Sequence, residues 1–141
     1  MRVIAFDVGD KRIGVALSEP VYNMALPLET YYRKGLIEDA KNLAELAKAK
    51  EAEVIVCGMP VNFDGSESYQ TIKTRKFVEE LQKHTAIPIE LEDERFTTVQ
   101  AESLLIEADM RRDKRKHVID KVAASYILEN YLKKSKKGDS K

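Results

Sequence analysis

The amino-acid sequence predicts an α/β fold: a five-stranded mixed sheet with helices on both faces, in the order β-β-β-α-β-α-β-α-α. Three observations carry this. A run of β-formers, Val3-Ile4-Ala5-Phe6, lies almost at the first residue and is followed by a Gly-Asp turn and a second apolar run. Two later runs, Glu53 to Cys57 and Ile87 to Leu91, each come after a stretch of helical spacing. Strands that alternate with helices build parallel pairs, because a crossover must return the chain to the same end of the sheet.

Each element follows from its residues. Residues 2–8 and 12–18 form a β-hairpin turned at Gly9-Asp10. Met24 to Tyr32 is strand-like, and Pro27 places it at a sheet edge, where a missing N–H costs no ladder bond. Leu36, Ile37, Ala40, Leu43, Ala44 and Ala47 recur at helical spacing and give an amphipathic helix over 36–50. The strand from Glu53 to Cys57 is expected parallel to the first strand. Gly58 to Ser66 is a loop by composition. A second helix spans 67–83, with Ile72, Phe77, Val78 and Leu81 inward. The strand from Ile87 to Leu91 runs into Glu92-Asp93-Glu94-Arg95-Phe96-Thr97-Thr98. Thr97 or Thr98 caps a third helix over 98–108. A basic connector over 109–117 leads to a last helix, 117–133, burying Ile119, Val122, Ala123, Tyr126 and Ile127. Residues 1–133 read as one domain and 134–141 as a polar, lysine-rich tail that frays.

Composition narrows the function classes. A chain of 141 residues can bury a real core. Its 24 basic and 24 acidic residues cancel, so charge points to a polyanionic partner through its distribution alone. The single Cys57 sits in a buried-strand pattern and reads as a small core residue. No stretch approaches the roughly 18 apolar residues of a membrane span. Asp7 and Asp10 interrupt any signal-peptide pattern, so a cytoplasmic location is expected.

Three acidic positions are tied to strand or helix ends. Asp7 ends the first strand, Glu94 lies just past the last strand, and Asp120 is in the first turns of the last helix. In a right-handed parallel arrangement, the ends of the first, fourth and fifth strands lie on one side of the sheet. Ala123 and Ala124 follow Asp120 at i+3 and i+4, and small residues there let the helix approach the sheet closely. Each acid also has a plain structural reading: a turn cap for Asp7, a helix-dipole partner for Asp120, a solvated strand end for Glu94. Strand phase does not choose among Glu92, Asp93 and Glu94, and Asp93 stays open as the ligand in place of Glu94.

Carboxylates brought together repel one another unless a cation joins them. Mg²⁺ or Mn²⁺ suits an all-oxygen donor set. Two such ions about 4 Å apart cleave a phosphodiester, one activating the attacking water and the other stabilising the leaving oxygen. Arg111, Arg112, Lys114, Arg115, Lys116 and His117 directly precede Asp120 and suit a phosphate backbone. Lys11 and Arg12 at the hairpin turn, and Arg95 beside Glu94, extend the same rim. His84 reads as a partner of its own helix end.

Four segments carry a resemblance: Phe6-Asp7-Val8-Gly9-Asp10-Lys11-Arg12-Ile13-Gly14, Gly58-Met59-Pro60-Val61-Asn62-Phe63-Asp64-Gly65, Asp93-Glu94-Arg95-Phe96-Thr97-Thr98, and Ile119 to Leu128. Together they resemble the YqgF/RuvX family, whose fold is that of ribonuclease H and of the RuvC Holliday-junction resolvase. The resemblance implies that Asp7, Glu94 and Asp120 are the catalytic, metal-binding acids. The mechanism expected for such a set is that Asp7 bridges two ions, with Glu94 and Asp120 each completing one shell. Asn62 joins Lys11, Arg12, Arg95, Arg111, Arg112, Arg115 and Lys116 as the nucleic-acid-binding set. It further implies a cytoplasmic nuclease that matures the 5′ end of 16S ribosomal RNA, with ribosomal particles as partners. The family's other role is resolvase-like cleavage of branched DNA. RNA trimming suits a monomer or weak homodimer, whereas a resolvase needs two active sites.

Two rival readings remain. Actin-like ATPases and sugar kinases also use the pattern of Asp7 to Gly14 against ATP phosphates, but they need two lobes and a longer chain. A non-catalytic nucleic-acid-binding module is disfavoured by neutral net charge and by the intact acidic set.

Overall fold

A computed structural model of the chain describes residues 2–19, 24–60, 68–93 and 122–133. Three strands open it: β1 (Val3–Val8), β2 (Arg12–Glu19) and β3 (Met24–Tyr32). Helix α1 (Leu36–Ala49), β4 (Val54–Met59), α2 (Tyr69–Gln82) and β5 (Ile89–Asp93) follow. A C-terminal helix is described over 122–133. The sheet has the order β3-β2-β1-β4-β5. β1 pairs antiparallel with β2, and β2 with β3, whereas β1–β4 and β4–β5 are parallel. The mixed sheet and the edge position of the Pro27 strand are as the sequence predicts. Val15 pairs with Glu29 but Ala16 with Pro27, so Leu28 is the extra residue of a bulge.

The two faces of β1 carry different cores, which is why its sequence is apolar without alternation. Ile4, Phe6 and Val8 pack with Leu43, Ala47, Phe77 and Leu81 of α1 and α2. Val3 and Ala5 pack with Val56, Ala124, Ile127 and Leu128, the last three of these from the C-terminal helix. Each large side chain fully buried in this way contributes about 1.5–3 kcal/mol. Cys57 is buried, as expected of a small core residue.

Three inward stripes differ from the sequence reading. Leu36, Ile37 and Ile72 are 38%, 57% and 47% exposed. On α2 the steps back from Phe77, Val78 and Leu81 land on Thr74 and Thr71, which are fully buried in place of Ile72. On α1 the step back from Leu43 lands on Asp39, a carboxylate buried on the helix's inward face. On the last helix Ala124 and Leu128 are buried, whereas Val122 and Tyr126 are half-buried. Among the described residues, no helix is long and apolar enough to cross a membrane.

Candidate active site at the end of the parallel strands

β1, β4 and β5 run parallel, so their C-terminal ends form one rim. Phe6 lies opposite Cys57, and Cys57 opposite Leu91. One step further along, Gly58 lies opposite Glu92 and Asp7 is paired with Gly14 of β2. The same step puts Gly58 beside Asp7 on β4. Asp7 is therefore flanked on both neighbouring strands by glycines, which add no side-chain bulk at that point of the rim. Alternation puts Asp7 on the Val3 and Ala5 side of the sheet, the face covered by the C-terminal helix. Glu92 shares that face through its register with Gly58 and is only 6% exposed.

The donor chemistry of this face fits a hard cation. Asp7 and Glu92 offer carboxylate oxygens, and Cys57, the single thiol, belongs to the opposite core. An all-oxygen set selects Mg²⁺, Mn²⁺ or Ca²⁺ over zinc. Among the described residues no group of three or more His, Cys, Asp or Glu side chains is close enough to hold an ion. Glu94 and Asp120, two of the three acids expected there, lie outside the described residues.

The turn behind Asp7 is held from several directions. The Gly9 N–H donates to the Arg12 carbonyl at 2.9 Å, and a Cβ on Gly9 would sit 2.8 Å from that same oxygen. Arg33 donates through Nη1 to the Gly9 carbonyl and through Nε to Asp39, each at 2.9 Å, and its guanidinium lies 5.8 Å from the Phe77 ring centroid. The Arg33 N–H donates to the Lys11 carbonyl. Gln70 on α2 donates to the Val8 carbonyl at 2.8 Å. Ser68 and Thr71 form a capping box at the start of α2, and the Thr71 hydroxyl also donates to the Pro60 carbonyl. Helix α2 is thereby tied to the ends of both β1 and β4.

Asp39 is the anchor of this arrangement. Its carboxylate accepts from the Tyr31 hydroxyl, the Arg33 guanidinium and the Lys34 and Gly35 N–H groups. Burial pushes its pKa up. The Lys34 N–H, Arg33, Tyr31 and the Gly35 N–H outweigh that and hold it below the usual carboxylate range. Tyr31 is pushed the other way, by burial and by the neighbouring Asp39, against an opposing hydrogen bond from Asn42.

Of the residues the sequence singles out, Asp7, Lys11 and Arg12 are described, and the hairpin brings all three to one turn. Lys11 is exposed and Arg12 half-buried. Asn62, Glu94, Arg95, Arg111, Arg112, Arg115, Lys116, His117 and Asp120 lie outside the described residues. His84 meets Glu80 at 2.8 Å at the end of α2, a local partner as expected. Sequence reasoning passed over Arg33, Asp39 and Gln70. The available signal was a charged Arg33-Lys34 pair between strand and helix, with an acid on the inward stripe of that helix.

The family model RuvX, described as Holliday junction resolvase, matches residues 1–134. A Halothermothrix orenii protein named "putative pre-16S rRNA nuclease" is 48% identical over 132 residues, covering 94% of each chain. A Clostridium acetobutylicum protein of the same name is 46% identical, covering 94% of this chain and 98% of its own. One from Caldanaerobacter subterraneus is 47% identical over 137 residues, covering 96% and 99%. Among solved structures, Thermus thermophilus RuvC in complex with a Holliday junction substrate matches with a TM-score of 0.62 at 13% identity, covering 97% of this chain and 96% of that one. A fowlpox virus resolvase with its junction DNA gives 0.57 at 12% identity, covering 95% and 98%. These structural matches establish the fold as RuvC-like, within the ribonuclease H class.

Proposed function

This chain belongs to the RuvX family, and from that premise we propose a divalent-metal-dependent nuclease that trims the 5′ end of the 16S ribosomal RNA precursor in the cytoplasm. The observation that carries the site is the position of Asp7. It is a half-buried carboxylate at the rim of three parallel strands, flanked by glycines, on the face the C-terminal helix covers. Glu94 follows directly on the last residue of β5 and has the sequence parity of Glu92. Asp120 stands two positions before the described helix, whose Ala123 and Ala124 are buried. These features support Asp7, Glu94 and Asp120 as the acids that hold the metal, in preference to Asp93.

Three carboxylates that converge need cations, and two Mg²⁺ or Mn²⁺ ions suit them. When bound, these ions supply the positive charge that activates water and stabilises the leaving oxygen. The protein's own part is positioning. Asp7 is held on a strand braced by Arg33 and Gln70, so its carboxylate is preorganised. Lys11 and Arg12 hold backbone phosphates on the hairpin side. Asn62, Arg95, Arg111, Arg112, Arg115 and Lys116 join them in contacting the nucleic-acid backbone. A monomer suffices for trimming, with a ribosomal particle presenting the leader.

The test is parallel cleavage of a labelled 16S precursor 5′ leader and a four-way DNA junction, in Mn²⁺ and in chelator. Metal-dependent loss of the leader alone supports the reading. Symmetric junction cutting gives the site to a resolvase, the activity in the family's description. Cleavage of neither substrate refutes a nuclease and leaves a binding module.

A further inference from the structure

A second charged feature lies at the same end of the sheet, on the face opposite Asp7. A cleft of about 430 Å³ opens between the β1–β2 turn, the start of α1 and α2, lined by Asp10, Arg33, Lys34, Asp39, Lys73 and Lys76 among others. Its charges do not cancel. Arg33 neutralises Asp39 at 2.9 Å, and Lys73 meets Asp10 at 2.8 Å. Lys34 and Lys76 are exposed and carry no ion pair among the described residues, so the cleft keeps two positive charges. Nothing lies within 4 Å of where a Cβ on Gly35 would be, so the cleft floor is open at the start of α1.

An aromatic side chain stands beside Lys73, one of the residues that line the cleft. Tyr69 is 72% exposed, and Lys73 Nζ lies 4.4 Å from its ring centroid. Tyr69 opens α2, and its neighbour Gln70 bonds the Val8 carbonyl, one residue beyond Asp7. From Tyr69 to Lys76 the helix rises about 10 Å. An exposed ring followed by a positive groove is the arrangement that takes a single strand, with a base on the ring and phosphates along the cations. A duplex keeps its base faces stacked and does not offer them to Tyr69.

We propose that this cleft is a second strand-binding subsite, in which Lys34 and Lys76 hold phosphates of a single-stranded segment of the substrate and Tyr69 stacks one of its bases. The proposal rests on the nuclease reading above. It adds a binding surface on the α1–α2 face.

The test measures binding of a labelled single-stranded RNA from the 16S precursor leader, in chelator so that it is not cut, across about 50–200 mM salt. The wild type is compared with Lys34→Ala/Lys76→Ala, Tyr69→Ala and Lys48→Ala. Lys48 is an exposed residue in the last turn of α1, at its far end. The double variant should flatten the slope of log K against log salt by about 1.4, from two contacts of about 0.7 each on a single strand. Tyr69→Ala should weaken binding about 5- to 100-fold and leave the slope unchanged. Lys48→Ala should match the wild type. Cleavage of the leader and the junction is assayed on the same preparations. If the wild type cuts the leader while the double variant keeps its slope and affinity, the subsite is overturned and the nuclease reading stands. If the wild type cuts neither substrate, the nuclease reading fails and the subsite fails with it.

Discussion

Replacing Asp39 by Ala should cost this protein about 3 kcal/mol. The Asp39 side chain has no exposure to solvent and the Arg33 side chain is 15% exposed. Removing one partner of a buried ion pair costs about 3–5 kcal/mol, because the other charge is left without compensation. The small exposure of Arg33 puts the loss at the low end. Lys34 and Gly35 would also lose their acceptor, but both residues are exposed and water can replace it. Asp39→Asn should cost less, since an amide oxygen can still accept from Lys34 while the charge on Arg33 goes unmatched. Urea unfolding followed by circular dichroism measures both. With a slope of about 2 kcal/mol per molar, the midpoint of Asp39→Ala should fall by about 1.5 M. The pH dependence has a definite sign. Asp39 is held below its unfolded value, so its contribution is complete above a pH of about 4 and is lost as pH falls through the folded pKa. The gap between wild type and Asp39→Asn should therefore be constant near neutrality and narrow in acid. A loss below about 1 kcal/mol, or a gap that widens in acid, would mean that Asp39 does not anchor Arg33 as a buried ion pair.

Three further outcomes follow from particular contacts. Gly9→Ala should destabilise the protein by about 1–3 kcal/mol in the same urea assay and lower cleavage, because the new Cβ meets the Arg12 carbonyl at 2.8 Å in the turn behind Asp7. Thr74→Val should raise stability by about 1 kcal/mol, seen as a higher thermal midpoint, since the Thr74 hydroxyl is buried with no hydrogen-bond partner among the described residues. Ala124→Leu should cost about 1–3 kcal/mol and reduce cleavage more than Km changes can account for. It would push the C-terminal helix off Val3, Ala5 and Val56, and with it the segment that carries Asp120.

Much of the fold was legible because each signal was local. Val3 to Phe6 reads as a strand from its residues alone, and Pro27 marks an edge through one missing N–H. Inward faces were less legible where the stripe had to be shared with polar residues. Ile72 looks like core and Thr71 and Thr74 do not, but the phase set by Phe77 and Leu81 decides otherwise. Asp39 was missed for the same reason: a carboxylate on an inward stripe contradicts its neighbours until Tyr31, Arg33 and two N–H groups arrive from outside the helix. At the site, Asp7 was legible as a carboxylate near the end of an apolar strand. Its glycine neighbours acquire meaning through register, since Gly14 and Gly58 lie 7 and 51 positions away along the chain. The cleft on the opposite face was not legible, because Lys34 and Lys76 come together through the packing of α1 against α2.

The most direct test of the central claim, that Asp7 anchors the metal site of a nuclease, is Mn²⁺-dependent cleavage of the 16S precursor leader by Asp7→Asn beside the wild type. Asn keeps the shape and removes the charge. The wild type should cut in Mn²⁺ and stop in chelator. The variant should fold, be no less stable without metal, and cut at no more than about one thousandth of the wild-type rate, about 4 kcal/mol of lost transition-state stabilisation. A folded Asp7→Asn protein that cuts the leader as fast as the wild type would contradict that claim.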